Sequence, residues 1–157
     1  MQTRSLSLII LLSLIASAPS FGASSTGESR QKVIRSISIA NISGLDFGVA
    51  SAGDRAKTIP PENRETPENA SFQVTGERHT MYFIHLPPDQ SIEMSTSGGG
   101  ARNKKIPVDL FKSNPVRFGV LDHSGKQTVF VGATRAELLT DQEAGDYVGY
   151  FTVTVVY

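Results

Sequence analysis

The chain has no cysteine. A domain without disulfides must rest on its hydrophobic core. It also has no excess of charge: 15 basic and 15 acidic residues cancel, and the sequence pI is near 6.8. No basic field exists to hold nucleic acid or anionic lipid, which excludes nucleic acid as an expected partner. Long hydrophobic runs are missing too. The apolar stretch over residues 6–15 is broken by Ser7 and Ser13, and a membrane-spanning helix needs about 20 apolar residues. No second stretch of spanning length follows, so no membrane insertion is expected. No segment carries a helical stripe. No repeat of 20–50 residues is present, which excludes a solenoid or propeller.

What the N-terminus does have is the layout of a secretory signal peptide: Arg4, then the apolar run, then the small residues Ala16, Ser17 and Ala18. Pro19 disfavours a cut directly before it, so cleavage is expected between residues 18 and 24. The expected organisation is a signal peptide over 1–23, a flexible polar leader over 24–32 and a single domain over 33–157. The mature chain is expected in the periplasm, on the cell surface or outside the cell. A mature chain of roughly 135 residues buries about two-thirds of its unfolded surface, so it needs no covalent staple.

The clearest structural signal is the segment that follows Gly145-Asp146. Tyr147, Phe151, Val153, Val155 and Tyr157 fall on one face, with Gly149 between them. Val148, Tyr150, Thr152, Thr154 and Val156 fall on the other. Period-2 alternation in β-branched and aromatic residues predicts a strand with one face on a core. Strands are also predicted over 33–42, continuing over 45–49, and over 70–75, 80–86, 91–96, 106–111, 116–121 and 127–133. Short strands are expected at 57–59 and 137–139. Residues 50–69 read as a long loop, and Asp122-His123-Ser124-Gly125 as a hairpin turn.

Many short strands between Gly, Pro and Asp turns predict an all-β fold. Glu143-Ala144-Gly145-Asp146-Tyr147-Val148-Gly149 has the form of a tyrosine corner, whose hydroxyl bonds back to the backbone upstream. The fold class expected is therefore an immunoglobulin-like antiparallel β-sandwich, with a barrel of similar strands as the alternative. Phe72, Phe83, Tyr147, Phe151 and Val153 are expected in the core. In a seven-stranded immunoglobulin sandwich one more strand follows the tyrosine corner's strand. Here that last strand is expected to be missing, which leaves an open groove.

Several motifs fall in a familiar order: Leu45-Asp46-Phe47-Gly48 after an alternating strand, Ala70-Ser71-Phe72-Gln73-Val74-Thr75-Gly76, Tyr82-Phe83-Ile84-His85-Leu86-Pro87, Val131-Gly132-Ala133, and Ala144-Gly145-Asp146-Tyr147 leading to Tyr157. Together they resemble the bacterial family called domain of unknown function 4402, from about residue 33 onward. The last strand alone is also similar to pilins of the archaic chaperone–usher type and to spore-coat-U-like domains. The resemblance implies an exported immunoglobulin-like subunit of a surface fibre or coat. The family has no established catalytic residues to carry over.

The residues themselves support no catalysis. Asp46-Phe47-Gly48 spells a kinase tripeptide, but the phosphate loop, strand lysine and catalytic loop are absent. Its plain reading is Phe47 packed inward and Gly48 as a permissive turn. Gly98-Gly99-Gly100 lacks the Lys-Ser/Thr of a phosphate loop. His79, His85 and His123 have no partners at metal-ligand spacing. Asp141, Glu143 and Asp146 read as a solvated turn rather than a calcium loop. No catalytic residue, cofactor site or metal site is expected.

The expected function is therefore structural: a non-enzymatic, pilin-like or coat-like subunit assembled by strand exchange. The candidate assembly strand comprises Val33, Ile37 and Ile39 as donor face, and Phe151, Val153, Val155 and Tyr157 along the accepting strand. Partners would be copies of the chain, related subunits and a periplasmic chaperone. The alternative is a monomeric secreted binding module. Its long loop and glycine loop would hold a glycan or protein.

Overall fold

The computed structural model describes residues 22–97 and 100–157. The signal peptide reading falls almost wholly outside the described residues, as do Gly98 and Gly99 of the glycine loop. Residues Val33–Tyr157 form one compact unit.

Among the described residues, alternation becomes nine strands: β1 Ser38–Ser43, β2 Lys57–Thr58, β3 Ala70–Thr75, β4 Met81–His85, β5 Ile92–Ser95, β6 Lys105–Asn114, β7 Phe118–Val120, β8 Lys126–Arg135 and β9 Thr154–Val156. Among the described residues the helical content is one 3-10 turn, Arg102–Lys104. No described helix is long and apolar enough to cross a membrane.

The strands form two sheets, and every pairing is antiparallel. The larger sheet runs β1-β3-β8-β6-β5, with β2 on β8; the smaller runs β7-β4-β9. The fold is thus an all-β antiparallel sandwich. Ala70, Phe72, Val74, Val129 and Val131 of the larger sheet pack against Tyr82, Ile84 and Val155 of the smaller, with Leu121 and Val153 closing the layer. A second cluster, Phe47, Ile59, Val108 and Ala133, lies over the other end of the larger sheet. There, loops rather than strands supply the covering residues.

Several expectations are revised. The 33–42 strand shrinks to β1, and residues 45–49 form no strand: Asp46 Oδ1 accepts from Gly48 N at 2.8 Å, and Gly48 turns the chain at φ +69°. Phe47 packs inward from that turn, as its plain reading requires. The 137–139 strand is absent, and its backbone bonds to the loop at residues 53–54 instead. Strands β6 and β8 each run ten residues, longer than expected.

Phe83 is the error of greatest consequence. It was expected in the core and lies 46% exposed, whereas Tyr82 and Ile84 point inward. Tyr82 fits because it pairs with Gly119, where a Cβ would collide with the Tyr82 hydroxyl and Gln127 Oε1. Its hydroxyl donates to that Gln127 oxygen at 2.8 Å. Of the other expected core residues, Phe72 and Val153 are buried, while Tyr147 and Phe151 are half-buried.

The long loop over 50–69 is held at its end by Asn69, which is fully buried. The Asn69 Nδ2 donates to Arg64 O at 2.9 Å, and its Oδ1 accepts from Thr66 N at 3.0 Å.

Candidate assembly groove

The last segment keeps the expected parity: Tyr147, Gly149, Phe151, Val153 and Val155 are half-buried or buried, and the residues between them are exposed. Its pairing is unexpected, because it does not run as one strand. Val148 pairs with Ser95 of β5, with N–H···O bonds of 2.9 and 3.0 Å. Thr154 to Val156 then pair with β4 of the opposite sheet. The segment therefore crosses from one sheet to the other. Gly149 permits the first contact, since a Cβ there would lie 2.8 Å from Glu93 O.

The start of the segment is fixed by a hydrogen-bonded corner. Tyr147 Oη lies 2.7 Å from Glu143 O and 3.0 Å from Asn103 O, and it accepts from Gln142 Nε2 at 2.9 Å. This is the upstream bond expected of the tyrosine corner. At the far end, the Tyr157 hydroxyl donates to Arg35 O at 2.9 Å and accepts from Glu77 N at 2.6 Å.

Between these anchors the side chains are held and the backbone is not. Phe151 meets Phe72 edge-on at 6.0 Å between centroids and Phe111 at 5.1 Å. Among the described residues, the backbone groups of residues 150–153 make no hydrogen bond. On the larger sheet, β1 pairs with β3 along one side, and its other side is an edge.

An apolar groove of about 370 Å³ opens beside this unpaired stretch. One wall is Asn41, Gly44 and Leu45, where β1 ends; the other is Gly149, Tyr150 and Phe151. Its floor is Phe72, Val108 and Phe111, with Ile92 and Met94 beyond. A second cavity of about 610 Å³ shares Leu45, Phe47 and Met94 with it and carries Asp46, Glu143 and Asp146. Such a groove, with core side chains as floor and open backbone at its side, can accept an extended chain.

The larger cavity also contains Arg135, only 5% exposed, whose guanidinium donates to Ala136 O at 2.9 Å and Arg55 O at 2.8 Å. Its Nε is buried without a partner. The carboxylates lining the same cavity oppose an anion there, so we assign Arg135 a role in holding loops. Among the described residues, no cluster of three or more metal-ligating side chains exists.

The candidate assembly residues separate into two sets. Val153 and Val155 are buried in the first core cluster, and Phe151 packs on it. Ile37 and Ile39 also pack on that cluster, but Ile39 is already committed to β1, opposite Val74 of β3. Val33 is 84% exposed. The sequence places Ile92 and Met94 on one face of the 91–96 strand, but it marks neither them nor Val108 and Phe111 as site residues. Their alternation within 91–96 and 106–111 was the available signal.

The family model for "Domain of unknown function (DUF4402)" matches residues 39–157. The chain belongs to this family. The match begins within β1 and runs through the segment that carries Tyr147, Phe151 and Tyr157, so the DUF4402 unit contains both walls of the groove. No curated protein and no solved structure matches the chain.

Proposed function

We propose that this DUF4402 protein is an exported, non-enzymatic, immunoglobulin-like subunit that assembles by accepting a strand from another chain. The observation that carries the reading is the apolar groove beside the unpaired backbone of residues 150–153. An unpaired backbone beside an apolar cavity floored by core residues invites β-augmentation. The incoming main chain bonds the edge, and alternate side chains enter the floor. Three apolar side chains so buried would contribute about 1.5–3 kcal/mol each before ordering costs.

The donor in this reading is the segment ahead of β1 in a second copy or related subunit. Val33 is exposed and available, whereas Ile37 would have to leave its own core cluster and Ile39 would have to leave β3. Charge supports the direction of approach. Arg30, Lys32 and Arg35 flank the donor face, and Asp46, Glu143 and Asp146 line the adjoining cavity. The layout around Arg4 and residues 6–15 supports export, to the periplasm or surface, where a chaperone could hold the groove before assembly.

The test is deletion of residues 24–36, which spares β1, followed by comparison of oligomers with the full chain by light scattering. Loss of assemblies larger than a dimer is expected, with a melting transition that stays cooperative but shifts down, because the Arg35 carbonyl that accepts from the Tyr157 hydroxyl is gone. A mature chain that forms nothing larger than a dimer and stays stable without any bound chaperone excludes the reading.

A further inference from the structure

The smaller sheet has a second apolar face, which points away from the core. Its seven outward positions are Met81, Phe83 and His85 on β4, Phe118 and Val120 on β7, and Thr154 and Val156 on β9. Five of these are apolar, each between 40% (Val156) and 53% (Phe118) exposed. They are contiguous by register. Met81 faces Val120, and Phe83 has Phe118 on one side and Val156 on the other.

A strand apolar on both faces is the pattern of a strand covered on both faces. In β4, Met81-Tyr82-Phe83-Ile84 has that pattern, and only the Tyr82/Ile84 face is covered within this chain. Cross-strand aromatic pairs such as Phe83 with Phe118 gain little while their outer faces stay in water.

We infer that this face is an interface between two copies of the chain, packed sheet on sheet around Phe83. Two observations select a copy over an unlike partner. First, none of the seven side chains carries a fixed charge, and the one adjoining cation, Arg117, stands beside the hollow rather than among them, so a self-contact sets few like charges against each other. Secondly, its size suits a modest dimer. Five half-exposed side chains at about 100 Å² each bury about 500 Å² per copy. The total of about 1,000 Å² sits at the lower limit of specific interfaces. A hollow of about 300 Å³ between Phe83, Ile84, His85, Arg117 and Phe118 gives the partner's side chains a place to enter. This inference is independent of the groove, which lies on the larger sheet.

Sedimentation velocity of the full chain over roughly 1–100 μM tests it, a range that brackets a dimer of micromolar affinity. The unaltered chain should show a concentration-dependent dimer. Phe83→Lys and Val120→Lys should each weaken it at least about tenfold, while deletion of residues 24–36 leaves it intact. Thermal melts confirm that each variant is folded. A variant that fails to melt cooperatively is replaced by Phe118→Ser, which removes the same contact without adding a charge. A chain monomeric at about 100 μM, or a dimer indifferent to both lysine substitutions, overturns the inference.

Discussion

Tyr82 shows how one side chain links burial, hydrogen bonding and pH. Its ring is fully buried, and burial pushes the phenol up to about 12 from an ordinary value of 10. Ionising it inside the sandwich would put a phenolate beside a Gln127 oxygen that can only accept. The folded state therefore holds the proton more tightly than the unfolded chain does. The stabilisation is complete below pH 10 and is lost as pH rises through about 12, with a ceiling of about 3 kcal/mol. Chemical denaturation between pH 8 and pH 12 should show stability falling over the last two pH units, and Tyr82→Phe should flatten that fall. An unaltered slope in Tyr82→Phe would trace the alkaline loss to other groups. Asp122 works in the opposite direction. The Lys126 backbone N–H, then the Ser124 hydroxyl, hold its carboxyl down at about 2, so the turn it closes loosens only as pH falls from about 4 toward 2.

At the scale of elements, the last segment was legible in its parity and misleading in its pairing. Period 2 sorts Phe151, Val153 and Val155 from Tyr150, Thr152 and Thr154 without any tertiary knowledge. It carries no information about which sheet each half joins. That division is set by Gly149, which lets the chain lie on β5, and by β4, which receives residues 154–156. Strand β4 failed for the reverse reason. Apolar residues on both faces erase the inward signal, so parity alone set Phe83 inward, and nothing local in sequence shows that Gly119 makes room for Tyr82. The Asp122 turn was legible because its chemistry is local, Asp122 bonding to Ser124, whereas the Asp46–Gly48 turn was only half legible, its apolar neighbours Leu45, Phe47 and Val49 also reading as strand. A direct consequence concerns residues 150–153. With no backbone partner, those amides that face the groove should exchange with deuterium at near-unprotected rates, while the amides of β8 resist until global unfolding. Hydrogen exchange read by mass spectrometry checks this. Strong protection at 150–153 in a verified monomer would mean the edge is already closed.

At the scale of the molecule, the two unsatisfied surfaces lie on different sheets and answer to different chemistry. The groove offers open backbone and a deep apolar floor, which suits an extended chain. The Phe83 face offers flat apolar area with its backbone already paired, which suits another sheet. A subunit with both could join end to end through the first and side to side through the second. Such a molecule risks premature association wherever it is concentrated, and export before folding would keep the two surfaces apart from partners in the cytosol. The sequence expectation of export becomes testable on that ground. Arg4 and residues 6–15 should direct the chain across the membrane, and the protein recovered from the periplasm or medium should have lost its first 18–23 residues, as read by intact mass. Replacing Leu11 and Leu12 with arginine breaks the apolar run without touching any residue of Val33–Tyr157. The expected outcome is uncleaved chain held in the cytosol. Recovery of full-length chain in the membrane fraction of unaltered cells would instead make residues 6–15 an anchor, and assembly would then begin from a tethered subunit.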